Sequence, residues 1–128
     1  MRWTIALAAL LGATPSGAQS VEIESAVYRE RLDETGARIE QVTRLEPGDR
    51  VVTILTWQAP RRGRYTAISP VPAGLVLESA SHPALEISTD GGRSWRRVED
   101  PDSVPRGATH LRWPVGSAGR LSYRALVR

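Results

Sequence analysis

Residues 50–58 read RVVTILTWQ, the most strand-prone run in the chain. β-Branched side chains stand at Val51, Val52, Thr53, Ile54 and Thr56, and such residues favour a pleated, half-buried surface. Successive side chains of a strand point to opposite faces. Val51, Thr53, Leu55 and Trp57 therefore share one face, and Val52, Ile54 and Thr56 share the other. Both faces are apolar, so the run predicts a strand inside a sheet with a neighbour on each side.

Outward from this run the chain reads as strands and turns. Upstream, Glu46-Pro47-Gly48-Asp49 is a turn in which Pro presets φ and Gly takes the left-handed position. Before it, VEIESAVYRER (21–31) and ARIEQVTRL (37–45) flank Asp33-Glu34-Thr35-Gly36 and predict an Arg/Glu-rich hairpin. Opposite charges across such a hairpin support it, and charge suits a sheet edge because it discourages further pairing. Downstream come a basic loop, APRRGR (59–64), then YTAIS (65–69), LVLES (75–79) and ALEIS (84–88). A Pro-rich loop, EDPDSVPRGA (99–108), precedes THLRW (109–113) and RLSYRALVR (120–128). In the last run Leu121, Tyr123, Ala125 and Val127 form a face to be buried. Turn residues recur roughly every eight to twelve positions, the spacing of a sandwich or barrel, and no helical stripe is present.

The first 18 residues are expected to stand outside this domain. Met1-Arg2 is a basic start, an apolar run follows from Trp3 to Gly12, and Ser16-Gly17-Ala18 supplies small residues for cleavage after Ala18. The apolar run is about ten residues, half of the about 20 that cross a bilayer. The pattern predicts a cleaved secretory signal over 1–18 and a single domain over 19–128. A domain of that length can bury one core without disulfides, and the chain has no cysteine. After cleavage no other stretch is long enough to span a membrane as a helix. All 17 basic residues are Arg, one of them in the leader, against 14 acidic residues. This near balance gives no dense basic face, so nucleic acid is not an expected partner.

Residues 88–95, STDGGRSW, match the spelling of the Asp-box of sialidase-type β-propellers. The octet occurs once, and a chain of 128 residues is too short for the blades of a propeller. Hairpin geometry accounts for each residue type instead. Asp90 accepts backbone N–H groups, Gly91 and Gly92 supply positive φ, and Trp95 folds its indole over the turn. Asp90 has no further carboxylates at calcium-ligand spacing, so no metal site is expected there.

Several motifs then line up in one order: PGDRVVTILTW (47–57), ISPVPAGLVLESAS (68–81), STDGGRSW (88–95), THLRW (109–113) and GRLSYRALVR (119–128). Together they resemble the bacterial conserved-repeat domain known as domain of unknown function eleven, over about residues 21–128. The resemblance implies an immunoglobulin-like antiparallel β-sandwich of seven to nine strands in an exported protein. It attaches no catalytic residues. The chain departs from the family after the P-G-D strand, where Gln58 to Arg64 replace an N-x-G turn.

Candidate binding residues are all arginines. Arg61, Arg62 and Arg64 share one Gly-containing loop, and Arg93, Arg96 and Arg97 surround the octet. Guanidinium forks suit carboxylate and phosphate, so an anionic polymer, a glycan or an acidic envelope protein is the expected partner class, and the two clusters together would make one patch. Trp57, Trp95 and Trp113 are expected in the core rather than as sugar platforms. His82 and His110 are far apart and suggest no metal site. Ser69, His82 and Asp90 carry no nucleophile motif. The expected function is a non-enzymatic module of the periplasm or cell surface, without cofactor, acting through protein or polymer contacts. The alternative is a carbohydrate-binding module using exposed Trp or Tyr rings and the Arg loops. Export makes a direct prediction: the intact mass of the protein from native cells corresponds to a chain beginning at Gln19. A chain beginning at Met1 would remove the export argument.

Overall fold

The computed structural model describes residues 11–15, 22–59, 61, 63–116 and 118–128. Among them are ten strands and no helix. In chain order they are β1 (Leu11–Pro15), β2 (Glu22–Asp33), β3 (Gly36–Gln41), β4 (Arg50–Gln58), β5 (Tyr65–Pro70), β6 (Leu75–Ala80), β7 (Glu86–Ser88), β8 (Arg96–Arg97), β9 (His110–Val115) and β10 (Ala118–Val127). All pairings are antiparallel. One sheet runs β6-β10-β4-β2, with β3 continuing from β2, and the other runs β5-β9-β7-β8. The protein is an all-β sandwich, with nine strands over residues 22–128.

RVVTILTWQ is the central strand that its two apolar faces predict. β4 lies between β10 and β2, with Leu55 opposite both Leu121 and Ser25. Val51, Thr53, Leu55 and Trp57 are buried, while Val52, Ile54 and Thr56 are half-buried on the outside. β10 behaves in the same way, with Leu121, Tyr123, Ala125 and Val127 inward. From the opposite sheet Tyr65, Ala67, Ile87, Leu111, Trp113 and Val115 complete the core. Trp57 and Trp113 meet between the sheets with ring centroids 5.6 Å apart and planes tilted by 56°. Tilted aromatic pairs of this kind contribute about 0.5–1.5 kcal/mol beyond the area they bury.

Turn chemistry sets the connections. Glu34-Thr35 closes the β2–β3 hairpin, Asp33 accepts the Thr35 N–H at 2.8 Å, and Gly36 follows with φ of 119°. Arg29 on β2 faces Glu40 on β3 and donates to it at 2.6 and 2.9 Å, the cross-strand charge pairing expected of this hairpin. β3 ends at Gln41, short of the expected residue 45, because Leu45 turns into the core and is 1% exposed. The Pro-rich 99–108 loop does more than connect. It lies along β6, where the Ala80 N–H donates to the Pro101 carbonyl and the Val104 N–H to the Glu78 carbonyl, at 2.8 and 2.9 Å.

Part of the N-terminal segment is paired with both sheets. Leu11–Pro15, at the end of the predicted leader, pairs first with β2 (Leu11↔Ile23, Gly12↔Glu22) and then with β5 (Ala13↔Ala67, Thr14↔Thr66, Pro15↔Tyr65). It thus bridges the two sheets. LGATP carries no alternation that would have marked it as a strand, and its place is given by the open edges beside it. The apolar run up to residue 10 and the cleavage stretch 16–18 lie outside the described residues.

Gly119 explains how Trp57 fits. The two residues are directly opposite across the β4–β10 ladder, and a Cβ at 119 would fall 2.7 Å from Trp57 Cζ2. The indole, held against Trp113, has little room to yield. Gly119→Ala is therefore expected to destabilise the protein by about 1–3 kcal/mol, the usual cost of overpacking. Urea denaturation would show it as a lower midpoint at unchanged slope, whereas an unchanged midpoint would mean that Trp57 moves freely.

Candidate functional site

The octet starts where β7 ends. Ser88 Oγ donates to Asp90 Oδ1 at 2.7 Å and accepts the Gly92 N–H at 2.8 Å. Asp90 Oδ1 also accepts the N–H groups of Arg93 and Ser94 at 3.1 and 2.9 Å, and Oδ2 accepts Ser94 Oγ–H at 2.6 Å. Gly91 and Gly92 have φ of 80° and 93°, as the D-G-G spelling predicts. Hydrogen bonds from the Ser94 and Ser88 side chains, then from backbone N–H groups, hold the Asp90 carboxyl far below the usual carboxylate range. Both carboxylate oxygens of Asp90 thus serve the turn. Thr109 ties the turn to β9 by accepting the Gly91 N–H at 3.1 Å and donating to the Ser88 carbonyl at 3.2 Å.

Trp95 ends the octet on the outer face of the sheet. Its ring lies 3.8 Å from where a Gly92 Cβ would stand, so it does fold over the turn. It is half-buried, however, and not part of the core that encloses Trp57 and Trp113. The guanidinium of Arg112 lies over the ring, 4.4 Å from its centroid. Stacking of this kind is worth about 0.5–1 kcal/mol at exposed sites. The same guanidinium donates to Glu86 from Nε at 3.3 Å and from Nη2 at 2.9 Å. Arg112, Glu86 and Arg97 share one row, because Glu86 on β7 is opposite Arg112 on β9 and Arg97 on β8.

This row borders an open groove of about 540 Å³ on the outer face, lined by Thr66, Ala84, Glu86, Arg97, Arg112, Trp113 and Pro114. The alternation that buries Leu111, Trp113 and Val115 sends Arg112 and Pro114 outward to the groove. Arg112 is held by Glu86 and Trp95. Arg97, with Arg93 and Arg96 nearby in sequence, is exposed and forms no ion pair among the described residues. The arrangement offers guanidinium donors beside a half-exposed indole on a rigid sheet, chemistry suited to carboxylate or phosphate groups.

The two Arg clusters lie at different places along the second sheet. The 61–64 loop enters β5 at Tyr65, which pairs with Val115 at the far end of β9, whereas the octet adjoins His110 at its near end. Arg97 is three strand spacings from β5, about 14 Å. Arg61 and Arg64 are exposed, and Arg62 lies outside the described residues. Their loop is anchored by Tyr65, whose buried ring packs beside Gly63 and whose hydroxyl donates to the Arg61 carbonyl at 3.0 Å.

The remaining candidates have local partners. His82 Nδ1 accepts the Ala84 N–H at 3.0 Å, and burial pushes the imidazole pKa down, so the ring acts as a neutral acceptor that closes its turn. His110 Nδ1 lies 3.0 Å from Thr109 Oγ1. Ser69 is buried and reaches only the neighbouring Pro70 carbonyl, at 3.4 Å. Sequence reasoning missed Arg112 and Glu86. The outward position of Arg112 was readable from the THLRW alternation, but its partner depends on β7–β9 register.

Comparison of the chain with protein-family models, curated proteins and solved structures finds no match.

The Asp90 network predicts a pH signature. A carboxyl held below its ordinary value contributes stability above about pH 4, and that contribution is lost as the pH falls toward its folded value. Asp90→Ala should lower Tm at pH 6, with the gap from the unsubstituted protein narrowing as melts are taken down to pH 2. A gap that stays constant would show that the charge on Asp90 contributes nothing to the turn.

Proposed function

We propose that this protein is a non-enzymatic, exported β-sandwich module of the cell envelope or surface that binds an anionic polymer or acidic protein on the outer face of β5-β9-β7-β8. The observation that carries the reading is the Arg97–Glu86–Arg112 row beside Trp95. Arg112 is fixed in place by Glu86 and Trp95, and Arg97 stands on the other side of Glu86 without an ion pair among the described residues. A fixed guanidinium loses little side-chain freedom on binding, which favours recognition of carboxylate or phosphate. The sequence supports export through the 1–18 leader pattern, and the resemblance to domain of unknown function eleven supports an envelope setting. The carbohydrate-binding alternative draws less support, because two of its three candidate indoles are in the core and the third lies beneath Arg112.

The protein should bind a carboxylated polymer such as alginate in a salt-dependent manner, since exposed charges are screened over about 8 Å at physiological ionic strength. Arg97→Ser is expected to weaken this binding about tenfold, the equivalent of one charge-assisted hydrogen bond. Arg61→Ser with Arg64→Ser should leave it within about twofold, below half of the free-energy change expected for Arg97→Ser. Titration by calorimetry at low and high salt distinguishes the two faces. Equal losses from both substitutions would refute the groove as the site.

A further inference from the structure

We infer that removal of the leader opens a strand-acceptor site along the β5 edge, filled in the mature protein by an extended, uncharged segment of a partner protein. This rests on the export reading above. Three of the four sheet borders carry their own protection. β6 is covered by backbone hydrogen bonds from the 99–108 loop. β8 is two residues long, both of them exposed arginines. β3 carries charge, with Arg38 and Glu40 along it. Short, charged or covered edges are the usual devices against unwanted pairing.

The fourth border has none of these. β5 reads YTAISP, six residues without a charge, paired with β9 on one side. On its other side, among the described residues, only Tyr65–Ala67 are paired, with Ala13–Pro15, while Leu11 and Gly12 pair with Ile23 and Glu22 of β2. Cleavage after Ala18 would remove the whole of β1. The unpaired β5 edge would then face the start of β2 across the position that bridged the sheets. Exposed edges of this kind accept an added strand, with main-chain hydrogen bonds supplying affinity. The segment that closes the slot in the full chain shows what fits: an antiparallel run, LGATP, of small and uncharged residues.

To test this, the full chain is expressed in a host that exports it, and the processed product is purified and its intact mass taken. A synthetic peptide of residues 9–16, ALLGATPS, serves as the probe, with a scrambled peptide as control. At a peptide concentration about 100 times Kd, exchange of those amides at residues 65–67 that do not bond to β9 should slow up to about 100-fold, with a rise in Tm, and the scrambled peptide should do neither. A product beginning at Gln19 in which the 65–67 amides facing away from β9 are already protected, or are unaffected by the peptide at millimolar concentration, would overturn the acceptor site while leaving export intact. A concentration-dependent dimer protected at these amides and not dissolved by the peptide would assign the edge to a second copy and also overturn the proposal. A product beginning at Met1 would overturn the export reading, and the acceptor site with it.

Discussion

The contact of Trp57 with Trp113 holds the two sheets together. Each indole sits on the inner face of a strand with neighbours on both sides or close to it, β4 in one sheet and β9 in the other. Around the pair the inner faces interleave Val, Leu, Ile and Ala side chains without a disulfide. The indole nitrogens of both residues are buried and have no hydrogen-bond partner among the described residues. An unsatisfied buried donor costs about 1–3 kcal/mol, so the pair is retained for its packing and not for its polar atoms. Gly119 is part of the same constraint, since the backbone of β10 must pass under the Trp57 ring without a Cβ between them.

From that fixed core the outer face follows. Once Trp113 points inward, Arg112 and Pro114 point outward, and the β7–β9 register puts Glu86 beside Arg112. The octet then delivers Trp95 beneath the guanidinium. The hairpin thereby supports from below an arginine that lines a surface groove. The Asp-box spelling and the candidate site are related in this way: the motif places an aromatic ring where an arginine can rest on it.

Much of the fold was legible because alternation is a local signal. RVVTILTWQ and RLSYRALVR show which residues face the core, and the observed burial follows them residue by residue. The turns at Gly36, Gly48 and Gly91-Gly92 were legible from the need for positive φ. What was not legible depends on register between distant strands. The Arg112–Glu86 pair joins residues 26 apart, and the separation of the two Arg clusters is a property of the β5–β9–β7 ladder. β8 is too short to have a pattern of its own, and β1 lies in a stretch whose composition reads as a leader.

The position of β10 has a consequence in time. The last strand of the chain is not at a border but between β4 and β6, and its pairing with β4 joins residues 50–58 to residues 118–126. Neither of the neighbouring strands can be enclosed until that final segment has arrived. Pairings of such long sequence separation are slow to form because a large loop must close first. A chain synthesised only as far as residue 117 has therefore not committed to its sandwich. Folding waits for residues 118–127, which leaves an interval in which the preceding strands are made but not yet enclosed.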